Sequence, residues 1–173
     1  GGHGGFLSEV SKNRRDRLDI KSSSADRADN EMFSEGVSLC ADICNTTVSF
    51  SIKKASRIRY LSLLEVFGID PDKATQRISE LDDLAAQAGE ADLPFQLVPH
   101  AAYSMSLSLL SLLKSRSASN SVTSVHFMET EGEEIFLRSR SGPLAAIFKE
   151  SGMLPAGLEL PGSHAGLVLS ELT

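Results

Sequence analysis

The sequence has only two cysteines, Cys40 and Cys44, four residues apart and with no second pair elsewhere. That spacing excludes a zinc knuckle and the multi-bridge framework of a small secreted domain, and it points to a reduced, cytoplasmic setting. No apolar run approaches the roughly 20 residues that a membrane span requires, and no signal-peptide hydrophobic segment opens the chain. Positive charge is scarce as well: 17 Lys and Arg stand against 23 Asp and Glu, a formal net charge of −6. Nucleic-acid binders gather Lys and Arg on one face, so neither nucleic acid nor membrane is expected as a partner. The one basic cluster, Lys12 to Arg17, is interrupted by Asp16 and reads as a solvated helix face. No G-x-G-x-x-G or G-x-x-x-x-G-K-[ST] follows a candidate strand, which removes the usual nucleotide cradles. An initiator methionine is also missing, and the opening "GGHGG" (1–5) reads as a loop or tag remnant.

What is present is an alternation. At 173 residues and 41% hydrophobic content the chain suffices for one domain with a sizeable core. "VSLCADI" (37–43), "IRYLSLLEV" (58–66), "FQLVP" (95–99) and "VTSVHF" (122–127) are short apolar runs suited to strands buried on both faces. Helical patterns follow them. Asp70 and Pro71 form an N-cap and N1 pair, after which Ala74, Ile78, Leu81, Leu84, Ala85 and Ala88 make one stripe that Gly89 is expected to end. A leucine-rich helix begins at Ser104 or Ser106, and another at Thr130, whose first turn carries Glu131, Glu133 and Glu134. Strand and helix in repeated alternation predict βαβ units, a parallel sheet and the α/β class. An open doubly wound sheet and a (β/α)8 barrel both satisfy this pattern; a barrel takes about 250 residues, so four strands correspond to half of one.

The carboxyl ends of these runs carry polar groups: Asp42 and Asn45, then Glu65, then His100, then His126 with Glu129. In a barrel they would meet on one rim around one cavity. Taken singly, each has an ordinary structural role, as a satisfied histidine or a turn former. The conjunction of two histidines and two glutamates on one rim carries more weight, and His126 and Glu129 have the residue types for a metal ligand and a proton shuttle, although H-x-x-E spacing is frequent by chance. Neutral imidazole is the commonest ligand for zinc-like ions, and a carboxylate nearby can carry a proton from attacking water to a leaving amine.

"LVPHAAYSMSLSLL" followed by "SVHFMETEGEEIFL" resembles the central part of the metal-dependent amidohydrolase superfamily. The branch in question includes chlorohydrolases and the deaminases of guanine, cytosine, S-adenosylhomocysteine and aminodeoxyfutalosine. There one strand ends in a "PHAPYS"-like motif and the next in an "HLAET"-like motif. Ala102 stands here in place of the proline, and Phe127 and Met128 replace leucine and alanine. The resemblance extends more loosely through "CADICNTT" and "LSLLEVFGIDPDKA", covering the chain from about residue 30. It implies a divalent metal, zinc ahead of iron, with His126 as a ligand. It implies Glu129 as the general acid/base and His100 as a substrate contact, while Glu65 joins the substrate side of the rim by spacing. The substrate would be a small heterocycle that loses an amino group, or in some members a halide.

Members of that superfamily also use an H-x-H pair after the first barrel strand, a histidine after the sixth and an aspartate after the eighth. No H-x-H occurs here, and the remaining histidines are His3 and His164. Residues 1–173 are therefore expected to be a single fragment of a catalytic TIM barrel, about strands two to five with flanking helices, contributing a single metal ligand and inactive alone. An open half barrel is expected to form a homo-oligomer or to associate with the missing half. Two other readings stand beside this one: a self-contained α/β binding or regulatory module, and an enzyme using Cys44 or Ser104 as nucleophile.

Overall fold

The computed structural model describes residues 18–160, 162, 163 and 166. The opening glycine-rich stretch with His3, the Lys12–Arg17 cluster and His164 lie outside them. Three of the expected strands form as β1 (Leu39–Cys44), β2 (Arg59–Val66) and β3 (Phe95–Pro99), parallel and side by side in that order. The helices are α1 (Leu18–Ser34), α2 (Phe50–Ala55), α3 (Ala74–Glu90), α4 (Leu107–Arg116), α5 (Glu131–Ser139) and α6 (Gly142–Glu150). The α/β class and the arc of a barrel are as the sequence pattern predicts.

The register explains which side chains go where. Cys44 lies opposite Leu64, and Leu64 opposite Leu97, so these residues share one face with Asp42, Ser62 and Val66. That face packs against the stripe of α3, namely Ala74, Ile78, Leu81, Leu84 and Ala88, and against Leu109, Leu110 and Leu113 of α4. The opposite face carries Leu39, Ala41 and Ile43 of β1, Leu61, Leu63 and Glu65 of β2, and Gln96 and Val98 of β3. Leu63 and Val98 are buried there, outside the main cluster, whereas Leu39 is 65% and Ile43 40% exposed at the β1 edge. The inner side of the arc is thus closed over β2 and β3 and open along β1.

Local signals position the helices. Asp70 accepts from the backbone N–H of Asp72 and leads through a 3-10 turn into α3. Gly89 does not end this helix: α3 continues to Glu90, and the chain turns at Asp92, whose φ of +56° lets Leu93 N–H reach back to Ala88 O. Of the two candidate serines, Ser106 caps α4 by accepting from Leu109 N–H. At the other end of the fold, α1 is tied down by buried Asp29, which accepts from Ser56 Oγ at 2.6 Å and from Tyr60 OH at 2.8 Å.

The fourth strand expected over 122–127 is not formed. The segment makes one isolated parallel bridge, Ala101 with His126, in which His126 N–H donates to His100 O at 2.7 Å. The edge of β3 is occupied differently. Asn120 donates its amide to Leu97 O at 2.8 Å and accepts from Leu97 N–H at 3.4 Å, while Gln96 accepts from Ser121 N–H at 2.7 Å. Side chains take the positions a neighbouring backbone would fill, and the chain meets β3 only beyond its end. Val122 is accordingly 46% exposed rather than buried. Replacing Asn120 with Ala leaves both polar groups of buried Leu97 without this partner, and the expected outcome is a loss of about 1–3 kcal/mol in urea unfolding. An unchanged midpoint would show that the amide is dispensable.

Candidate active site

Three backbone hydrogen bonds assemble the rim. His100 N–H donates to Val66 O at 3.1 Å, so the residue after β3 stays beside the end of β2. His126 N–H then docks on His100 O. Gly68 N–H donates to Ser104 O at 2.9 Å, which fixes the turn that follows His100. Gly68 allows this close approach: a Cβ there would lie 3.1 Å from the Arg77 side chain and 3.2 Å from that of Leu109.

Glu65, His100, His126 and Glu129 meet on this rim. Glu65 is buried at the end of β2, with Oε1 3.3 Å from His126 Nε2. Glu129 Oε1 lies 3.5 Å from the other ring nitrogen, Nδ1. Between them Met128 takes a left-handed φ of +54°, which brings residues 126 and 129 to one side. A left-handed non-glycine residue costs roughly 1–2 kcal/mol, the kind of local strain that clusters at functional sites. The rings of His100 and His126 have centroids 4.9 Å apart, and Phe67 and Tyr103 each approach His100 edge-on at 5.8 Å. His100 Nδ1 is 2.7 Å from Ser104 Oγ, and Ser104 Oγ donates to Ala101 O at 3.1 Å. One ligand atom from each of Glu65, His100 and His126 falls within 4.8 Å of the others, so these three could hold a metal ion.

Not every strand-end residue arrives. Asn45 and Thr46 line a cleft of about 480 Å³ together with Glu65 and Phe67. Asp42 does not reach the rim, because it belongs to the helix-packed face of β1. There it pairs at 2.7 Å with Lys53, whose side chain is 2% exposed. Lys53 also donates to Ser62 Oγ at 3.0 Å and to Cys44 Sγ at 3.3 Å. Sequence reasoning missed this buried ammonium, since a lysine in "SIKKAS" carries no signal of burial. It also gave no role to Tyr103, and it read Ser104 as a possible helix start or nucleophile. Ser104 does not start the helix, which Ser106 caps; its hydroxyl lies between His100 Nδ1 and Ala101 O. Cys44 is a poor nucleophile, since burial pushes its thiol pKa up despite the neighbouring lysine.

Two crystal structures share the fold. Helicobacter pylori aminofutalosine deaminase superposes with a TM-score of 0.70 at 20% identity, covering 94% of this chain and 40% of that one. The same enzyme in complex with methylthio-coformycin gives 0.71 at 22% identity, covering 92% and 40%. The chain thus spans about two fifths of the length of the enzyme it matches. No family model matches the chain. No curated protein matches it. Among the described residues no helix is long and apolar enough to cross a membrane.

Both tyrosines report on this packing. The Tyr103 phenol is pushed up by burial first, and then by the carboxylates of Glu129, Glu133 and Glu65. Tyr60 is raised by burial and by its hydrogen bond to Asp29. A raised folded-state pKa means that the folded chain keeps protons the unfolded chain has lost. This stability is present below the ordinary tyrosine pKa of about 10 and declines as pH rises through and above it. Alkaline titration should therefore show tyrosinate absorbance appearing together with loss of helical circular dichroism. Ionisation near pH 10 in a chain that stays folded would contradict the burial of these rings.

Proposed function

We propose that this chain is a central part of a metal-dependent hydrolase of the amidohydrolase superfamily, which removes an amino group from a small heterocyclic substrate, with release of a halide as the related alternative. The observation that carries the reading is the convergence of His126, Glu129, His100 and Glu65 on the rim of a barrel arc similar to part of a deaminase. The enzyme with the matching fold is an aminofutalosine deaminase, and one of its structures holds methylthio-coformycin.

The roles follow from the chemistry of each group. A divalent ion, zinc ahead of iron, would be held through His126 and would supply Lewis acidity and a lowered pKa for attacking water. Glu129, 3.5 Å from His126 and part exposed, receives the proton from the attacking water and returns it to the departing nitrogen. His100 and Glu65 face the substrate side, with Phe67 and Tyr103 as aromatic walls beside the His100 ring. The chain would act in the cytoplasm, as one fragment of the catalytic domain, and would associate with a second copy or with the rest of a barrel. The exposed Leu39 and Ile43 along the β1 edge support that association, and they count against a self-contained binding module with protected edges.

The test is ammonia release from a panel of amino-substituted purines, pyrimidines and triazines by the protein expressed from its whole reading frame. Glu129→Gln is expected to lower kcat by about 10²–10⁴-fold with a smaller change in KM, the signature of lost proton transfer. Full activity in that variant, or no ammonia from any member of the panel, would remove the basis for the assignment.

A further inference from the structure

The helix-packed face of β1 brings an amine and a thiol into contact. Lys53 Nζ donates to Cys44 Sγ at 3.3 Å and pairs with Asp42 at 2.7 Å. The lysine side chain is fixed there: Ser62 Oγ accepts from it at 3.0 Å, and the rings of Phe50 and Tyr60 lie beside the ammonium. Cys44 is only half-buried, at the carboxyl end of β1 and next to exposed Asn45 and Thr46, which leaves the sulfur open to a small oxidant. Burial raises the thiol pKa and the ammonium opposes that rise, so the sulfur reacts slowly, but with its neighbour already in place. The second cysteine of the sequence is no competitor. Cys40 sits four residues back along the same strand, roughly 13 Å away, against a limit of about 7 Å between the Cα atoms of a disulfide.

We propose that Cys44 and Lys53 form an oxidative modification site, at which hydrogen peroxide links the sulfur to the nitrogen through a single oxygen atom. The Cys44 thiolate attacks one peroxide oxygen; the O–O bond breaks, a sulfenic acid forms and water leaves. Asp42 takes the proton of the ammonium, and the freed amine attacks a second peroxide, giving a hydroxylamine and another water. The hydroxylamine oxygen then attacks the sulfenic sulfur, whose hydroxyl departs as a third water. Sulfur and nitrogen each lose two electrons, and two peroxides are reduced. An S–O–N link suits the 3.3 Å separation, whereas a direct S–N bond would draw the two side chains far closer together. No ligand is recognised in this process, because both reacting groups are the protein's own. The link ties α2 covalently to β1 and closes the segment that carries Asn45 and Thr46, two residues of the cleft wall. It is independent of the hydrolase reading.

The experiment is hydrogen peroxide treatment of the protein expressed from its whole reading frame, followed by tryptic peptide mapping by mass spectrometry without reductant. The expected product is a peptide left uncut after Lys53 that has gained one oxygen and lost two hydrogens. Fragmentation should place the change between Cys44 and Lys53, and dithiothreitol should restore the original mass. Cys40→Ser is expected to leave the yield unchanged, and Cys44→Ser to abolish the product. Lys53→Arg, which keeps the buried positive charge, should lose the link and leave only oxygen adducts on Cys44. Should that variant fail to fold, the mapping of the unmutated protein decides. Simple oxygen addition at Cys44, a disulfide from Cys44 to another cysteine, loss of two hydrogens without gain of oxygen, or no change at Cys44 would each overturn the assignment.

Discussion

The rim depends on two backbone hydrogen bonds formed just beyond the sheet, His100 N–H to Val66 O and His126 N–H to His100 O. Neither belongs to a strand ladder. Together they carry the lateral order of the sheet one residue past its carboxyl edge, where the backbone would otherwise diverge into loops. Because side chains alternate along an extended chain, this continuation also fixes parity. Glu65 and the two histidines turn to the inner side of the arc, while Val66 turns to the helices. Without the second bond, residues 122–127 would have no ordered relation to β3, since Asn120 and Gln96 already occupy its edge.

The same parity separates two polar clusters that the sequence places close together. On the helix-packed face, Lys53 is surrounded by Asp42, Ser62 and Cys44 at 2.7, 3.0 and 3.3 Å. An ammonium has three donors, and here three acceptors meet them, so the buried charge is fully engaged within the protein. Phe50 and Tyr60 close the sides, with their ring centroids 5.9 and 5.8 Å from the ammonium nitrogen. That arrangement is structural: it fastens α2 to the sheet and leaves nothing for a ligand to recognise.

Much of the fold was legible because it rests on periodicity. The β2 and β3 runs and the α3 stripe from Ala74 to Ala88 follow from residue spacing and from Asp70–Pro71, and the structure has them where the pattern puts them. The errors have specific physical origins. The alternation in "VTSVHF" states that one face is apolar, but not whether a backbone partner is available, and Asn120 had taken Leu97. Gly89 looked like a helix terminus because glycine tolerates left-handed backbone, yet Asp92 adopts that conformation instead. Asp42 was placed on the rim by its position along the strand, whereas the register Asp42 with Ser62 assigns it to the other face. Residue type and order located Glu65, His100, His126 and Glu129; only coordinates could add Ser104, because a serine near a helix start has the same sequence appearance whether it caps that helix, as Ser106 does, or orients a histidine.

The contrast between the two clusters gives a criterion for separating structural from chemical polarity in this fold. Lys53 is a single charge whose donors all meet acceptors, on the face where α2 excludes water. His126 stands between two carboxylates at comparable distances, with a second imidazole beside it and a polar cleft bordering Glu65. Glu65 and Glu129 thus approach the two nitrogens of one imidazole, so a proton on either ring nitrogen faces a carboxylate. The arrangement around Lys53 is closed on itself, whereas the rim borders an open cleft. That difference follows from the side-chain inventory and the distances alone, independently of any resemblance to other proteins.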